Sequence, residues 1–490
     1  MILTVNIGNT HITVGGYEQD TLRFCGRLHS DTAATVDEYA IRLVNLLSLH
    51  GASPAQIEGG ILGSVVPVLS GRVLSALRIL CNARILTVGP GLKSGIKLRL
   101  DNPAQLGAEL LCGAVAALAE CSGPLVVISA DTAISMMAVN AKQELVGGVI
   151  LPGPQLSLSA LVQNTAQLPQ IDLAAKAPAS ILGKSTSSCL QNGFVLGTAS
   201  LLDGLADRFC ADLMKALTGH GDFFLATLAF VKNSGKNKRD VWITKPTGRN
   251  LRKITDIPGI AMSPSWSLDG RFIVFSHMDD KSHALGVWDR LTNRVQRIRF
   301  PGNTVIGPTF TPGNKVAVSL STGKNPDIFM LNHAFQKERT LEANGTINVS
   351  PTFDAAGTKM AFTSNRMGGP QIFMKDLASG SVSRVTKQGN YNTEPSMSPD
   401  GTLIAFSRLT SEGNRIFVQD LTTGTEQQIS FGPGNDVLPS FAPDSYFIAF
   451  TSNRSGPNQI YLTTRHGGDA KKVPTGSGDA SFPRWGAIPR

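Results

Sequence analysis

A short signature recurs six times in the second half of the chain: a proline, any residue, and then an aromatic residue or methionine. Successive copies begin 43 or 44 residues apart. The copies are Pro264-Ser265-Trp266, Pro308-Thr309-Phe310, Pro351-Thr352-Phe353, Pro395-Ser396-Met397, Pro439-Ser440-Phe441 and Pro483-Arg484-Trp485. A repeat of this period indicates that one small unit, unable to bury a core alone, packs on copies of itself.

Each repeat has the pattern of four short strands joined by tight turns. An apolar strand, such as residues 273–275, follows each of the first five signatures, and turn residues such as Asp269-Gly270 lie between. A third strand carries one aromatic residue in each repeat: Trp288, Phe329, Phe373, Phe417 or Tyr461. Four short strands in every ~40 to 45 residues are typical of a β-propeller blade.

The two ends of the array predict how it closes. The chain enters at strands 228–230 and 241–243 with no signature before them, and it leaves on the single strand 482–485. The last strand can complete the first blade, so that no sheet edge stays open. We therefore predict an all-β, six-bladed propeller over residues 226–490. An open β-solenoid is the disfavoured alternative, because it would not need its missing strand returned.

Cysteine and charge divide the chain where the repeats begin. All six cysteines lie before residue 222, and residues 1–221 carry 14 Lys and Arg against 15 Asp and Glu, whereas residues 222–490 carry 31 against 21. No CxxC or Cys/His spacing predicts a metal site, so the cysteines indicate a reduced, cytosolic type of domain. The basic residues of the second half are scattered through turns, and we predict no nucleic-acid binding. Two different proteins are joined here.

The N-terminus carries no recognisable targeting signal. It begins Met1-Ile2-Leu3-Thr4-Val5, without the basic and long apolar regions of a signal peptide, and no run of 18 apolar residues follows. On the sequence alone we expect a cytoplasmic chain with no transmembrane segment.

The first half alternates apolar strands with helical stretches. Strands are predicted at 2–7 and 11–17, around the turn Gly8-Asn9-Thr10, and a helix at 36–49. Further strands are predicted at 61–66, 85–88, 125–129, 136–140 and 149–151, and further helices at 106–119 and 195–217. This order predicts an α/β fold with a central mixed sheet. The small-residue turn would let backbone N–H groups and Thr10 approach a phosphate.

The amino-acid sequences of the individual repeats resemble the TolB-type propeller repeat. The similar segments are SPSWSLDGRFIVFS, SPTFDAAGTKMAFTSNR, EPSMSPDGTLIAFSR and LPSFAPDSYFIAFTSNR, within about residues 224–490. The resemblance implies a periplasmic protein of the Tol-Pal system, which holds the outer membrane to the cell wall during division, and a propeller that binds the lipoprotein Pal. The family's preceding α/β domain is absent, so contact with the inner-membrane Tol proteins is not implied. The repeats do not indicate which face meets a partner.

The first half resembles type III pantothenate kinase in five successive motifs. These are VNIGNTH, DNPAQLGAEL, SADTAIS, GGVILPGPQLSLSALVQNTAQLP and ILGKSTSSCLQNGFVLGTASLLDGL, within about residues 1–225. The resemblance implies the acetate and sugar kinase/actin-like fold, with ribonuclease H-like halves at about 1–118 and 122–225 and a homodimer. The family phosphorylates pantothenate with ATP, Mg²⁺ and K⁺ or NH₄⁺, the first step of coenzyme A biosynthesis. Gly183-Lys184-Ser185 is not a P-loop, because the required glycine is replaced by Pro178.

The same resemblance assigns roles to residues of this chain. The catalytic base is Glu109. Nucleotide and phosphate contacts fall to Asn6, Gly8, Asn9, Thr10 and Thr132. Substrate contacts fall to Gly107, Ala108 and Thr186.

Five positions depart from the family's chemistry. The family has Asp, Tyr, Asp, Arg and Asp where this chain has, in order, Asn6, Leu100, Glu109, Leu110 and Ser129. The last of these Asp residues binds the monovalent cation in the family, and Ser129 replaces it here, so we assign no metal ligands. Phosphoryl transfer depends on positioned charge, and several such charges are missing together.

Two functions remain open for the first half. The combined departures predict an impaired or non-catalytic kinase-like domain, joined to a propeller that binds proteins. The alternative is an active kinase, with Glu109 as base and the propeller as an accessory. The family's adenosine-binding Thr-Gly-Gly turn falls on Thr227-Leu228-Ala229, where both halves overlap. A gene fusion, a misjoined reading frame or a built chimera would each leave this pattern.

Overall fold

The computed structural model describes residues 1–89, 92–121, 123–174, 180–280, 282–300, 304–321, 323–486 and 488. By compactness the chain divides into two units, Met1–Leu205 and Ala206–Arg490. Pro178 lies outside the described residues. The domain boundary between residues 225 and 226 stays a prediction, since compactness reflects packing and not family descent.

Strands and helices alternate in the first unit, as the sequence predicts. The described elements are β1 (Ile2–Ile7), β2 (His11–Glu18), β3 (Thr21–His29), α1 (Val36–Leu49), β4 (Gly59–Ser64), α2 (Pro67–Leu80), β5 (Arg84–Thr87), β6 (Lys97–Leu98), α3 (Ala108–Glu120), β7 (Leu125–Ala130), β8 (Ala133–Val139), β9 (Glu144–Pro152), α4 (Pro154–Gln163) and α5 (Thr186–Thr218), which ends in the second unit.

The first sheet of this unit is mixed. Its order is β3-β2-β1-β4-β5, with β1, β2 and β3 antiparallel and with β4 and β5 parallel to β1. Alternate residues of β1, including Leu3 and Val5, are buried, whereas Asn6 is exposed. Helices α1 and α2 contribute Leu43 and Leu77 to the same core. The α/β fold predicted for this half is confirmed.

The second sheet repeats only part of this plan. Its order is β6-β9-β8-β7, where β7, β8 and β9 are antiparallel and β6 is parallel to β9. Helix α3 packs on this sheet, and Ala114, Met137, Val139 and Leu145 form the core between them. In the first sheet β1 has a parallel neighbour, β4. Among the described residues, β7 has no such neighbour, so one edge of this sheet is unpaired.

The second unit is built of short antiparallel strands. The described strands are β10 (Leu228–Gly235), β11 (Lys238–Thr244), β12 (Arg252–Lys253), β13 (Ile260–Trp266), β14 (Phe272–Met278), β15 (His283–Asp289), β16 (Arg294–Arg299), β17 (Thr304–Phe310), β18 (Val316–Ser321), β19 (Asp327–Leu331), β20 (Lys337–Glu342), β21 (Asn348–Phe353), β22 (Lys359–Ser364), β23 (Gln371–Asp376), β24 (Val382–Arg384), β25 (Asn392–Met397), β26 (Leu403–Thr410), β27 (Gly413–Asp420), β28 (Glu426–Gln428), β29 (Asp436–Phe441), β30 (Phe447–Ser452), β31 (Gln459–Thr464), β32 (Gly467–Lys472) and β33 (Ala480–Trp485).

The strands of the described residues form six blades, as predicted. Blade 1 contains β33, β10, β11 and β12, and blades 2 to 6 take the next strands four at a time, from β13–β16 to β29–β32. The last strand, β33, pairs antiparallel with β10 through partners such as Leu228 and Trp485. This pairing closes the ring and leaves no open innermost edge at the junction. The solenoid alternative is therefore wrong.

Candidate functional site

Two cavities in the first unit gather most of the predicted kinase residues. The first, of about 480 Å³, is lined by eight positions singled out in the sequence: Gly8, Asn9, Leu100, Gly107, Glu109, Leu110, Ser129 and Thr132. The second, of about 560 Å³, is lined by five: Asn6, Ala108, Glu109, Leu110 and Ser129. Glu109, Leu110 and Ser129 thus border both cavities. Thr10 and Thr186 line neither of them.

The turn between β1 and β2 is held in place by a serine that the sequence patterns did not single out. The Gly8 N–H donates to the His11 carbonyl oxygen at 3.0 Å. Ser30 donates through its hydroxyl to the Gly8 carbonyl oxygen at 2.7 Å and through its N–H to the Thr10 carbonyl oxygen at 3.0 Å. These bonds fix the backbone of Gly8 and Asn9 at the edge of the first cavity. Ser30 lies 20 residues or more away in sequence, so no local signal reveals it.

Glu109 is the second residue of α3, two positions after the N-cap residue Gly107. A helix N-terminus carries partial positive charge, which favours a carboxylate at this position. The thiol of Cys112 lies one turn further on, and burial, together with the nearby charge of Glu109, raises the pKa of that thiol. On β1, the side chain of Asn6 faces Gly63, where an added Cβ would come within 3.8 Å of the Asn6 Oδ1.

A second turn, Asp131-Thr132, joins β7 to β8 and reaches the first cavity. The Gly153 N–H donates to the Thr132 carbonyl oxygen at 2.9 Å. A Cβ at residue 153 would overlap the Asp131 carbonyl oxygen, so only glycine allows this approach. Asp131 also lines the cavity, two positions after Ser129. It is a carboxylate that the resemblance did not assign to any role.

The charges that line these cavities are negative. Glu109 and Asp131 line the first cavity and Glu109 the second, and no lysine or arginine is found among the described residues that line either. A bare phosphate chain would be repelled here unless a cation accompanied it.

The segment that begins α5 satisfies its own polar groups. Ser188 Oγ accepts from the N–H groups of Lys184 and Ser185 at 2.9 Å each. The Cys189 N–H donates to the Ser185 carbonyl oxygen at 2.8 Å. These N–H groups are therefore occupied locally, as expected of a helix N-terminus and not of a phosphate loop. Thr186, the first residue of α5, is exposed.

The predicted adenosine turn lies in a propeller strand. Leu228 and Ala229 belong to β10, are fully buried, and pair with β11 on one side and β33 on the other. The backbone of these two residues is therefore paired within blade 1.

The repeated Ser-Asn-Arg turns of the propeller hold their arginines inside the blades. Arg454 binds both carboxylate oxygens of Asp436 at 2.9 Å and lies over the rings of Phe450 and Tyr461. Arg366 binds one carboxylate oxygen of Glu342 at 2.9 Å and likewise lies over two rings, those of Phe362 and Phe373. These arginines stabilise their blades, which leaves little of their charge for an external partner.

Histidines do not form a metal centre in the described part of the chain. His277 is buried in β14, and its Nε2 bonds to the Pro258 carbonyl oxygen at 2.8 Å, while His283 begins β15. No cluster of three or more His, Cys, Asp or Glu side chains suited to a metal occurs among the described residues. In the same residues, no helix is both long and apolar enough to cross a membrane.

Comparisons with known proteins agree with this division. The family model for type III pantothenate kinase matches residues 2–208, and the TolB β-propeller domain model matches residues 214–486. A type III pantothenate kinase of Exiguobacterium is 35% identical over 216 residues, 44% of this chain and 84% of that protein. The Tol-Pal system protein TolB of Nitratidesulfovibrio vulgaris is 77% identical over 162 residues, 33% of this chain and 37% of that protein.

A solved structure shows the same fold. The crystal structure of TolB from Acinetobacter baumannii aligns with a TM-score of 0.56 at 19% identity, over 82% of this chain and 90% of that one. Fold, cavity and comparisons together define a kinase-type α/β domain joined to a closed β-propeller. The chain belongs to the type III pantothenate kinase family over its first half and to the TolB propeller family over its second. It spans little more than a third of the TolB relative's length.

Proposed function

We propose that the pantothenate kinase domain is impaired or inactive, a pseudoenzyme, and that the propeller binds a protein partner. The observation that carries the first part is the location of Leu228 and Ala229. Both are buried in β10, so the segment that should form the family's adenosine turn is part of a propeller blade. A kinase that cannot hold adenosine loses the binding energy that positions the phosphates.

The residues of the first cavity support the same conclusion. The family implies ATP use, and Mg²⁺ prefers carboxylate oxygens in an octahedral shell. Glu109 and Asp131 supply such oxygens, but Asn6 and Ser129 replace two family carboxylates, and no basic side chain lines the cavity among the described residues. The set does not fit Mg²⁺-ATP together with K⁺ or NH₄⁺, and we derive no transfer step through it.

An active kinase is the second candidate. It is favoured by one observation: Glu109, the two turns at Gly8-Asn9 and Thr132, and the Asp131 carboxylate all line one cavity. In that case Glu109 acts as the base that accepts the proton of the pantothenate hydroxyl. Gly107, Ala108 and Thr186 would then contact the substrate, and Thr10 the phosphate.

A coupled turnover assay separates the two candidates. Purified full-length protein is given ATP, pantothenate, Mg²⁺ and either K⁺ or NH₄⁺, and we expect no phosphopantothenate above background. Turnover that Glu109→Gln abolishes would establish the active kinase. Glu120→Gln is the matched control, because Glu120 is an exposed acid at the other end of α3. Calorimetry with Mg²⁺-ATP tests nucleotide binding separately.

The propeller proposal rests on family membership and on the closed ring. We propose that its partner is a Pal-like lipoprotein of the Tol-Pal system. The full chain, immobilised and challenged with the soluble domain of such a lipoprotein, should bind it at tens of micromolar or below. No binding in that range would leave the propeller without this partner. A homodimer through the kinase domain and a cytoplasmic location remain further proposals, which light scattering and cell fractionation test.

A further inference from the structure

The residue before each signature proline lies in a bulge of the innermost strand. All six have positive φ, between 51° and 59°: Ser263, Gly307, Ser350, Glu394, Leu438 and Phe482. Each described bulge interrupts the pairing with the next strand of its blade, and all six of these residues line the same cavity. All six inner strands contribute to one axial cavity of about 260 Å³.

Two charged residues break the symmetry of this ring. Before the proline, only Glu394 is charged. After the proline, five repeats have Ser or Thr, and the sixth has Arg484. The hydroxyl at this position accepts a backbone N–H from the next blade in three described cases, those of Ser265, Thr352 and Ser396.

Charge inside a propeller needs a reason, because removing a charge from water is costly. The repeat has uncharged residues at both positions elsewhere, so propeller closure alone does not require Glu394 or Arg484.

The two side chains are anchored on the same strand. Glu394 Oε2 accepts from the Leu438 N–H at 2.9 Å and from the Ser407 hydroxyl at 3.0 Å. Arg484 Nη1 donates to the carbonyl oxygen of Pro439, the next residue along β29, at 3.1 Å. No ion pair joins Glu394 to Arg484 among the contacts of the described residues. Glu394 Oε1 and the rest of the Arg484 guanidinium therefore remain available to the cavity that both line.

Because one acidic and one basic side chain line the cavity, a ligand that carries a single charge is disfavoured. Burial raises the pKa of the Glu394 carboxyl and lowers the pKa of the Arg484 guanidinium, and each partly offsets the other through its charge. An anion on Arg484 would meet the carboxylate, and a cation on Glu394 would meet the guanidinium. A molecule with one positive and one negative end satisfies both groups. The cavity is small, which limits the ligand to a few heavy atoms beyond those ends.

We propose that the axial cavity of the propeller binds a small zwitterion of the amino-acid type, with its carboxylate on Arg484 and its ammonium group on Glu394. Ser263, His283 and Ser350 supply further polar groups on the wall.

A series of amino acids of increasing length tests this site. Glycine, β-alanine, γ-aminobutyrate and ε-aminocaproate are titrated into the full-length protein by calorimetry, with acetate and methylammonium as singly charged probes. We expect one chain length to bind best, about tenfold or more tighter than either singly charged probe. No measurable binding of any amino acid at about 10 mM, or equal binding of acetate and the best amino acid, would overturn the proposal.

Charge-removing variants give an independent test. Glu394→Gln keeps an acceptor for the Leu438 N–H, and Arg484→Gln keeps a donor for the Pro439 carbonyl oxygen. Each should weaken the best amino acid about tenfold or more, while Glu394→Gln binds acetate more tightly and Arg484→Gln binds methylammonium more tightly. Glu412→Gln and Arg294→Gln are exposed controls that should change nothing. Should either variant fail to fold, the wild-type length series still decides.

Discussion

At the scale of single residues, Arg454 and Asp436 form a largely buried ion pair in the propeller. Asp436 is fully buried and Arg454 is largely so. Replacing Arg454 by methionine would leave the Asp436 carboxylate buried without its partner, which costs about 3 kcal/mol of unfolding free energy. The measurement is urea unfolding followed by tryptophan fluorescence, since all four tryptophans lie beyond residue 221. The matched control is Lys315→Met, which breaks a more exposed pair and should cost less than about 1 kcal/mol. Equal losses in the two variants would contradict the prediction.

His277 predicts a pH dependence of the propeller. Burial lowers the pKa of this imidazole, and its Nδ1 has no hydrogen-bond partner within the described structure. Between the lowered pKa and the ordinary value of about 6.5, the unfolded chain binds more protons than the folded one. Stability should therefore fall as the pH drops below about 6.5. The nearby charges are those of Arg297, Asp279 and Asp240.

The measurement is the urea midpoint of tryptophan fluorescence between pH 7 and pH 5. His277→Gln should flatten the curve, whereas His466→Gln, which changes an exposed histidine, should leave it as in the parent chain. A His277→Gln curve that still falls with the parent slope would assign the pH dependence to other groups.

The sequence predicted which motif residues line the kinase cavity, but it did not predict the other residues that hold or line this site. Motif order identified Gly8, Glu109 and Thr132, and the structure brings them to one cavity. The sequence patterns did not single out Ser30 or Asp131, because their places at the cavity depend on tertiary contacts. Ser30 follows β3 and holds a turn that is distant in sequence. Asp131 supplies a carboxylate two positions after Ser129, where the family has its Asp. The roles of Gly8, Glu109 and Thr132 stay predictions.

At the scale of elements, Gly153 shows how one small residue fixes a site-forming turn. It is the N-cap of α4, and a Cβ there would overlap the Asp131 carbonyl oxygen. Gly153→Ala should lower the stability of the first unit by about 2 kcal/mol, since either the turn or α4 must move. Gly71→Ala is the control: Gly71 lies in α2 with no atom within 4 Å of its added Cβ, and the change should stabilise by about 1 kcal/mol.

Circular dichroism at 222 nm during urea unfolding measures both variants, because α1 to α4 all lie in the first unit. A neutral Gly153→Ala would mean that the turn relaxes without cost. A destabilising Gly71→Ala would mean that helix propensity does not govern the control.

Elements with strong local signals were predicted well, and weaker ones were missed. Helix α1 was predicted at its observed bounds from its helical periodicity. The structure adds a capping box at its start: the Thr35 N–H donates to Glu38 Oε2 at 2.7 Å, and the Glu38 N–H donates to Thr35 Oγ1 at 3.3 Å. Helix α5 was predicted to begin at residue 195 but begins at Thr186, because serines and Gly193 hide its apolar period. Strand β3 and helices α2 and α4 were missed, since arginine, glycine and β-branched residues blur their patterns.

At the scale of the whole molecule, ring closure was predictable because it follows from counting. The first blade lacks a strand and the last repeat has a single extra strand, so the extra strand is expected to complete the first blade. The pairing of β33 with β10 is this arrangement. What counting does not give is the asymmetry of the ring. Glu394 and Arg484 are visible as exceptions in the sequence, but only the structure shows that both side chains line one cavity.

The two units should unfold separately. Each has hydrophobic cores of its own: Leu43 and Leu77 belong to one in the first unit, and Phe275 and Trp288 to one in the second. Chains with separate cores depart from two-state unfolding. We therefore expect the urea curves from circular dichroism at 222 nm and from tryptophan fluorescence to have different midpoints. Gly153→Ala should move only the first curve and Arg454→Met only the second. Coincident curves that shift together in both variants would show one cooperative unit, and the kinase and propeller families would then share a single folding transition.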